Sequence, residues 1–118
     1  MARTALTKTT APGGYGASLA GANLTLAAAD ISNLNSFVAN GNDLVIAQNT
    51  GVSAYTVTIT SAPDAYGRTG DIATESLAAG EIHIFGPFPL PGWQQTDGSI
   101  YLQASNAAVK FGIVKLPG

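Results

Sequence analysis

Glu81-Ile82-His83-Ile84-Phe85-Gly86-Pro87-Phe88-Pro89-Leu90-Pro91-Gly92-Trp93 is the stretch that decides how this chain reads. Ile82, Ile84 and Phe85 form a short apolar run of strand type, and the segment from Gly86 to Gly92 interrupts it. Three of the six prolines of the chain lie here, and each removes a backbone donor that an interior strand needs. The strand therefore stops at this point or persists only at the edge of a sheet. Phe85, Phe88 and Trp93 follow one another closely, and three large rings on a stiffened backbone bury much apolar area wherever they land. The segment is expected to close one end of a core; the competing reading is a surface that grips a partner.

Working outward, Tyr55-Thr56-Val57-Thr58-Ile59-Thr60 is the cleanest pattern. Tyr55, Val57 and Ile59 share one face and the threonines the other, which is the period of two expected of a half-buried strand. The threonine face is expected to meet solvent or a polar subunit interface. Asn40-Gly41-Asn42 separates Ser36–Ala39 from Asp43–Gln48, and an Asn-Gly pair between strand-like runs predicts a hairpin. Asn23–Ala27 reads as a first strand. After Ser61 a long loop leads to Ile72–Leu77, and strands at Ser99–Ala104 and Val109–Leu116 follow the turn Gln94–Gly98. About eight short strands with turn residues between them, and no helical period, indicate an all-β, single-domain β-sandwich or jelly-roll-like barrel spanning residues 23–118, with a jelly roll the favoured topology. Residues 1–22, rich in Thr, Ala and Gly, show neither period and are expected to form an extended, flexible N-terminal arm that orders on a neighbour or frays.

With 118 residues the chain is one domain, long enough to bury about two thirds of its unfolded surface. It has no cysteine, which removes disulfides, thiolate metal sites and a cysteine nucleophile. Only 10% of the residues are charged against 46% hydrophobic. Ordinary monomers keep more charge on their surface, so this balance points to a subunit whose surface is covered by other protein. The net charge is -2 and the five cations, Arg3, Lys8, Arg68, Lys110 and Lys115, are scattered; no basic stripe offers itself to nucleic acid. No run has the length of a membrane span, and the opening residues lack the apolar core of a secretory signal. A cytosolic product is expected.

The sequence assigns no catalytic, cofactor-binding or metal-ligating residue. The lone His83 is expected to face solvent or an interface, opposite Ile82 and Ile84; without cysteines or a second histidine it lacks the partners of a zinc site. Asp64 and Asp71 lack the ligand spacing of a calcium loop, and Glu75 and Glu81 could face one another across a hairpin without a cleft to make them an acid/base couple. No nucleophile elbow, phosphate loop or dinucleotide fingerprint is present. In the loop Tyr66-Gly67-Arg68-Thr69-Gly70-Asp71, Arg68 and Asp71 are placed to pair locally; alternatively Tyr66 and Arg68 project as contacts, both being types favoured at interface centres.

Met1-Ala2-Arg3-Thr4-Ala5, the central Asp64–Ile72 and the run Phe85-Gly86-Pro87-Phe88 through Gly92-Trp93, Gln95 and Asp97–Tyr101 resemble the small virion proteins of tailed bacteriophages, specifically capsid decoration or cement proteins. The resemblance spans nearly the whole chain, although its motifs are those of a structural domain. It implies a non-enzymatic, often homotrimeric β-rich subunit of the virion, made in the host cytoplasm. Such a subunit binds outside the expanded capsid lattice and clamps neighbouring major capsid proteins. The expected contacts are Met1, Ala2, Arg3, Thr4, Ala5, Leu6 and Thr7 of the arm, adding a strand to an exposed edge of the capsid protein, together with Tyr66 and Arg68. Removing residues 2–10 is expected to weaken that binding and leave the fold intact. The alternative reading is a carbohydrate-binding module that stacks sugars on Trp93, Tyr66 or Tyr101.

Overall fold

The computed structural model describes residues 3–11, 24–63, 66–67 and 69–116. Among these residues there are ten strands and no helix: β1 (Thr4–Ala5), β2 (Lys8–Thr10), β3 (Ala27–Ala28), β4 (Asn35–Val38), β5 (Asp43–Asn49), β6 (Tyr55–Thr60), β7 (Ile72–Leu77), β8 (Ile82–Phe88), β9 (Ser99–Ala104) and β10 (Val109–Lys115). They form two mixed sheets, one in the order β1-β4-β9-β6-β7 and the other β2-β10-β5-β8, with β3 also on β10. The sheets do not close into a barrel, so of the two expected architectures the sandwich is the one observed.

Alternation along the strands builds the core between the sheets. In β5, Asp43, Val45, Ala47 and Asn49 are buried while Leu44, Ile46 and Gln48 are only partly so. In β6 the buried residues are Val57 and Ile59, and the three threonines lie on the other face, as the period of two predicts. Phe37, Val57, Ile59, Ile100 and Leu102 of one sheet meet Val45, Ala47, Val109, Phe111 and Ile113 of the other in one cluster. Each of the larger of these side chains contributes roughly 1.5–3 kcal/mol by leaving water. Phe88 is buried in the same cluster, its ring edge-on to Trp93 with centroids 4.8 Å apart, and Phe85 and Trp93 pack against it. The proline-rich segment thus closes the core as its rings suggested.

The predicted hairpin at Asn40-Gly41-Asn42 is instead a crossover between sheets. β4 pairs with β9, and β5 pairs with β10 and β8. The turn is held from inside by Asp43, whose buried carboxylate accepts the Asn40 N–H at 2.8 Å. A side-chain acceptor of this kind replaces the cross-strand bonds that a two-strand hairpin would make. The passage from β7 to β8 changes sheets likewise. Of the strand expected at Asn23–Ala27, Asn23 lies outside the described residues and only Ala27 falls in a strand, β3; Leu24 and Leu26 lie over Gly112 of β10, where a Cβ would stand 2.4 Å from Leu26 Cδ2 and 3.1 Å from Leu24 Cδ1.

The N-terminal segment departs most from its expectation. Residues 3–11 belong to the sandwich. β1 runs parallel to β4, with Thr4 opposite Asn35, and β2 runs parallel to β10, with Lys8 opposite Ile113. Between them Leu6 packs against the core. One short segment therefore covers an edge of both sheets and spans the gap between them. Met1, Ala2 and residues 12–22 of the expected arm lie outside the described residues.

Candidate partner-binding surface

A sandwich of two open sheets has four edges, and each exposes backbone groups that can recruit another chain. Two of these edges share one side and are covered by the N-terminal segment, with β3 sharing the β10 edge. The covering is anchored by specific contacts. The Arg3 guanidinium lies 4.2 Å from the Tyr101 ring centroid and donates to the carbonyls of Asn35 at 3.0 Å and Leu102 at 3.3 Å. The Thr4 hydroxyl donates to Asp30, and Asn35 Nδ2 donates to the Thr4 carbonyl at 3.3 Å. Lys8 Nζ reaches the fully buried Asp43 carboxylate at 3.0 Å and also donates to Asn40 Oδ1. Among the arm residues expected to bind a partner, Arg3, Thr4, Ala5 and Leu6 are thus engaged within their own chain. Thr7 is exposed between β1 and β2.

The other side carries the edges β7 and β8. In β7 the register shifts between Glu75 opposite Val57 and Ile72 opposite Ile59, and Thr74 adopts φ 48. A β-branched residue in that region is unusual, and a bulge of this kind twists an edge away from further pairing. β8 is different over its first half. Ile82, His83, Ile84 and Phe85 stand opposite Gln48, Ala47, Ile46 and Val45 in unbroken register. The irregularity comes only at Gly86-Pro87, where Gly86 has φ 106 and a Cβ would meet the Asp43 carbonyl at 2.8 Å.

Because Val45 and Ala47 are buried, their partners Phe85 and His83 face the interior and the isoleucines face out. Ile82 and Ile84 are 56% and 65% exposed. The isoleucines are therefore the outward pair, and the histidine, expected to face solvent or an interface, is half-buried on the inward face. Its ring lies in the gap between the two sheets, with Nδ1 3.9 Å from Glu75 of β7 and Nε2 3.5 Å from Glu81. Glu81 also accepts the Ala78 N–H at 2.7 Å, fixing the turn between the strands. The two glutamates expected to face each other across a hairpin thus flank the histidine on a sheet-crossing arch.

Three carboxylates elsewhere are held below the ordinary value of 3.8 by the hydrogen bonds they accept. Asp97 takes the Tyr101 hydroxyl and the Ser99 N–H, Asp71 takes the Ser61 N–H and hydroxyl, and Asp30 takes the Asn33 N–H and the Thr4 hydroxyl. All three serve turns and loops. The bond to Asp97 in turn pushes the Tyr101 phenol up from 10.0. Among the described residues no group of three or more histidine, aspartate or glutamate side chains is arranged to hold a metal ion.

Of the two loop contacts expected from the sequence, Tyr66 is 84% exposed, and Arg68 lies outside the described residues. The rings proposed as a sugar platform are differently placed: Trp93 packs against Phe88, and the Tyr101 face carries Arg3. Sequence reasoning missed the Ile82 and Ile84 surface because two isoleucines in a strand read as core. The signal was the edge-strand consequence of the prolines, combined with alternation against β5. Compared with known proteins, the chain matches no family model, no curated protein and no solved structure.

Proposed function

We propose that this chain is a non-enzymatic structural protein, a capsid decoration protein of a tailed bacteriophage that binds outside the expanded lattice and holds neighbouring major capsid proteins together. The observation that carries the reading is the pair Ile82 and Ile84, exposed side by side on the edge of β8 that no strand among the described residues pairs, in a chain with only 10% charged residues. Apolar side chains next to unpaired strand backbone supply both burial and hydrogen bonds to a partner. In this reading the N-terminal strands stabilise the subunit itself, and the opposite edge serves the lattice. Self-association to a trimer and residence in the virion belong to the same proposal.

The test is co-sedimentation of the full chain with expanded, undecorated capsids, run beside light scattering of the free protein. Saturable pelleting with the capsids and a free trimer are expected. A monomer that stays in the supernatant would sink the proposal and leave the glycan-binding alternative, with Tyr66 as its ring, to be tried on a glycan array.

A further inference from the structure

We infer that the free edge of β8 is a strand-addition site for an extended segment of a partner protein whose side chains alternate between apolar and basic. The inference deepens the decoration reading, on which it rests only for the identity of the partner. Along an antiparallel ladder, alternate residues turn their N–H and C=O groups away from the paired neighbour. Ile82–Phe85 keep unbroken register with β5 on one side, and no strand among the described residues pairs with the other. The three remaining edges are covered by β1, covered by β2 and β3, or bent at Thr74. Among the described residues the edge strands β1 and β2 are only two and three residues long, and β8 presents the longest straight ladder.

The side chains beside that ladder define what fits. A strand laid along it alternates its side chains between the two faces of the sheet. On the outer face they meet Ile82 and Ile84, with Ile46 behind them, and apolar groups match. On the inner face they meet His83 between the half-exposed carboxylates of Glu75 and Glu81. Lysine or arginine there is attracted, and aspartate or glutamate is repelled. A second copy of β8 is a poorer occupant by the same argument, because antiparallel pairing would gather two more carboxylates on that face. Charge therefore selects a basic partner strand over self-pairing.

The probe is a short synthetic peptide alternating valine and lysine, titrated into the isotope-labelled full chain at low salt and followed by amide chemical shifts. Shifts confined to Glu81–Phe85, the facing β5 residues and Glu75 of β7 are expected, with affinity falling as salt rises. Replacing every lysine of the peptide by glutamate is expected to weaken binding by at least about tenfold. Glu75→Gln is expected to weaken it about threefold, in line with a half-exposed charge pair. Ile84→Lys, at an exposed position, is expected to keep the fold while abolishing binding. Equal binding of the acidic peptide, shifts elsewhere on the molecule, or undiminished binding to Ile84→Lys would each overturn the inference. So would a wild-type dimer that Ile84→Lys splits. Capsid pelleting separates the two levels: peptide binding without pelleting removes the decoration reading alone, whereas pelleting undiminished by Ile84→Lys removes this edge alone.

Discussion

Replacing Lys8 by methionine keeps most of the side-chain volume and removes its charge, and the structure says what is left behind. Asp43 is fully buried, with one carboxylate oxygen 3.0 Å from Lys8 Nζ and the other accepting the Asn40 N–H at 2.8 Å. Lys8 itself is only 15% exposed, and its ammonium stands 5.7 Å from the centre of the Phe37 ring. Without the lysine the buried carboxylate keeps, among the described residues, the Asn40 N–H as its donor. Breaking a buried pair in this way costs about 3 kcal/mol or somewhat more, far above the value of a surface pair. For a chain of 118 residues, an unfolding entropy of about 2.1 cal/mol/K per residue converts that loss into a fall in Tm of roughly 12 °C. Differential scanning calorimetry of wild type, Lys8→Met, Asp43→Asn and the double variant completes a cycle. Asp43→Asn in the Lys8→Met background should recover part of the loss, because the orphaned charge is then gone. A Lys8→Met variant within about 1 kcal/mol of wild type would refute the reasoning and mean that the N-terminal segment is only loosely laid on the sandwich.

Two further outcomes follow from single contacts. Gly112→Val puts a branched side chain where Leu24 and Leu26 lie, a Cβ alone standing 2.4 Å from Leu26; a loss of about 1–3 kcal/mol in urea melts is expected, as for other overpacked sites, and none would mean that residues 24–28 are not held against β10. Acid unfolding should steepen below about pH 4, because Asp30, Asp71 and Asp97 are held below 3.8 in the folded state: their contribution is complete above the unfolded value and is lost as pH falls through the lowered one. Asp71→Asn should flatten that acid limb while lowering stability at neutral pH, and an unchanged limb would exclude its two bonds from Ser61 as a source.

How much of this was legible in the sequence depended on whether a residue's neighbours are local. The strand β6 was readable because alternation of β-branched residues is a local signal, and Val57 and Ile59 are buried as their period demands; β10, which alternates less cleanly in sequence, is buried without a break over Phe111–Ile113. The prolines after Phe85 correctly limited β8 to an edge. What failed was pairing. Asn40-Gly41-Asn42 is a sound hairpin signal, yet the choice between returning beside β4 and crossing to the other sheet is made by Asp43 and its burial against Lys8, thirty-five positions away in the chain. The N-terminal residues failed for the same reason. Thr4–Ala5 and Lys8–Thr10 are too short to show a period, and their strand character comes from β4 and β10.

That failure relocates the candidate site. A segment without its own period reads as free to reach a neighbour, and on that ground the residues before Lys8 were the expected contacts. Once Arg3 is stacked on Tyr101, Leu6 packed on the core and Lys8 paired with Asp43, binding a partner through them would first require undoing these contacts, the Lys8 pair alone at about 3 kcal/mol. Deleting residues 2–10 would now damage the fold as well as any interface, so it no longer isolates a binding role. The edge of β8 carries no such cost, since nothing among the described residues must leave before a strand can pair there. Among the described residues the chain covers two sheet edges with its own first strands and bends a third at Thr74, while the fourth, beside two isoleucines, stays open against the ordinary hazard of aggregation. Its glutamates temper the hazard by admitting basic strands in preference to copies of itself, which makes the charge on Glu75 and Glu81, more than the isoleucines, the feature that separates a binding edge from an accident of packing.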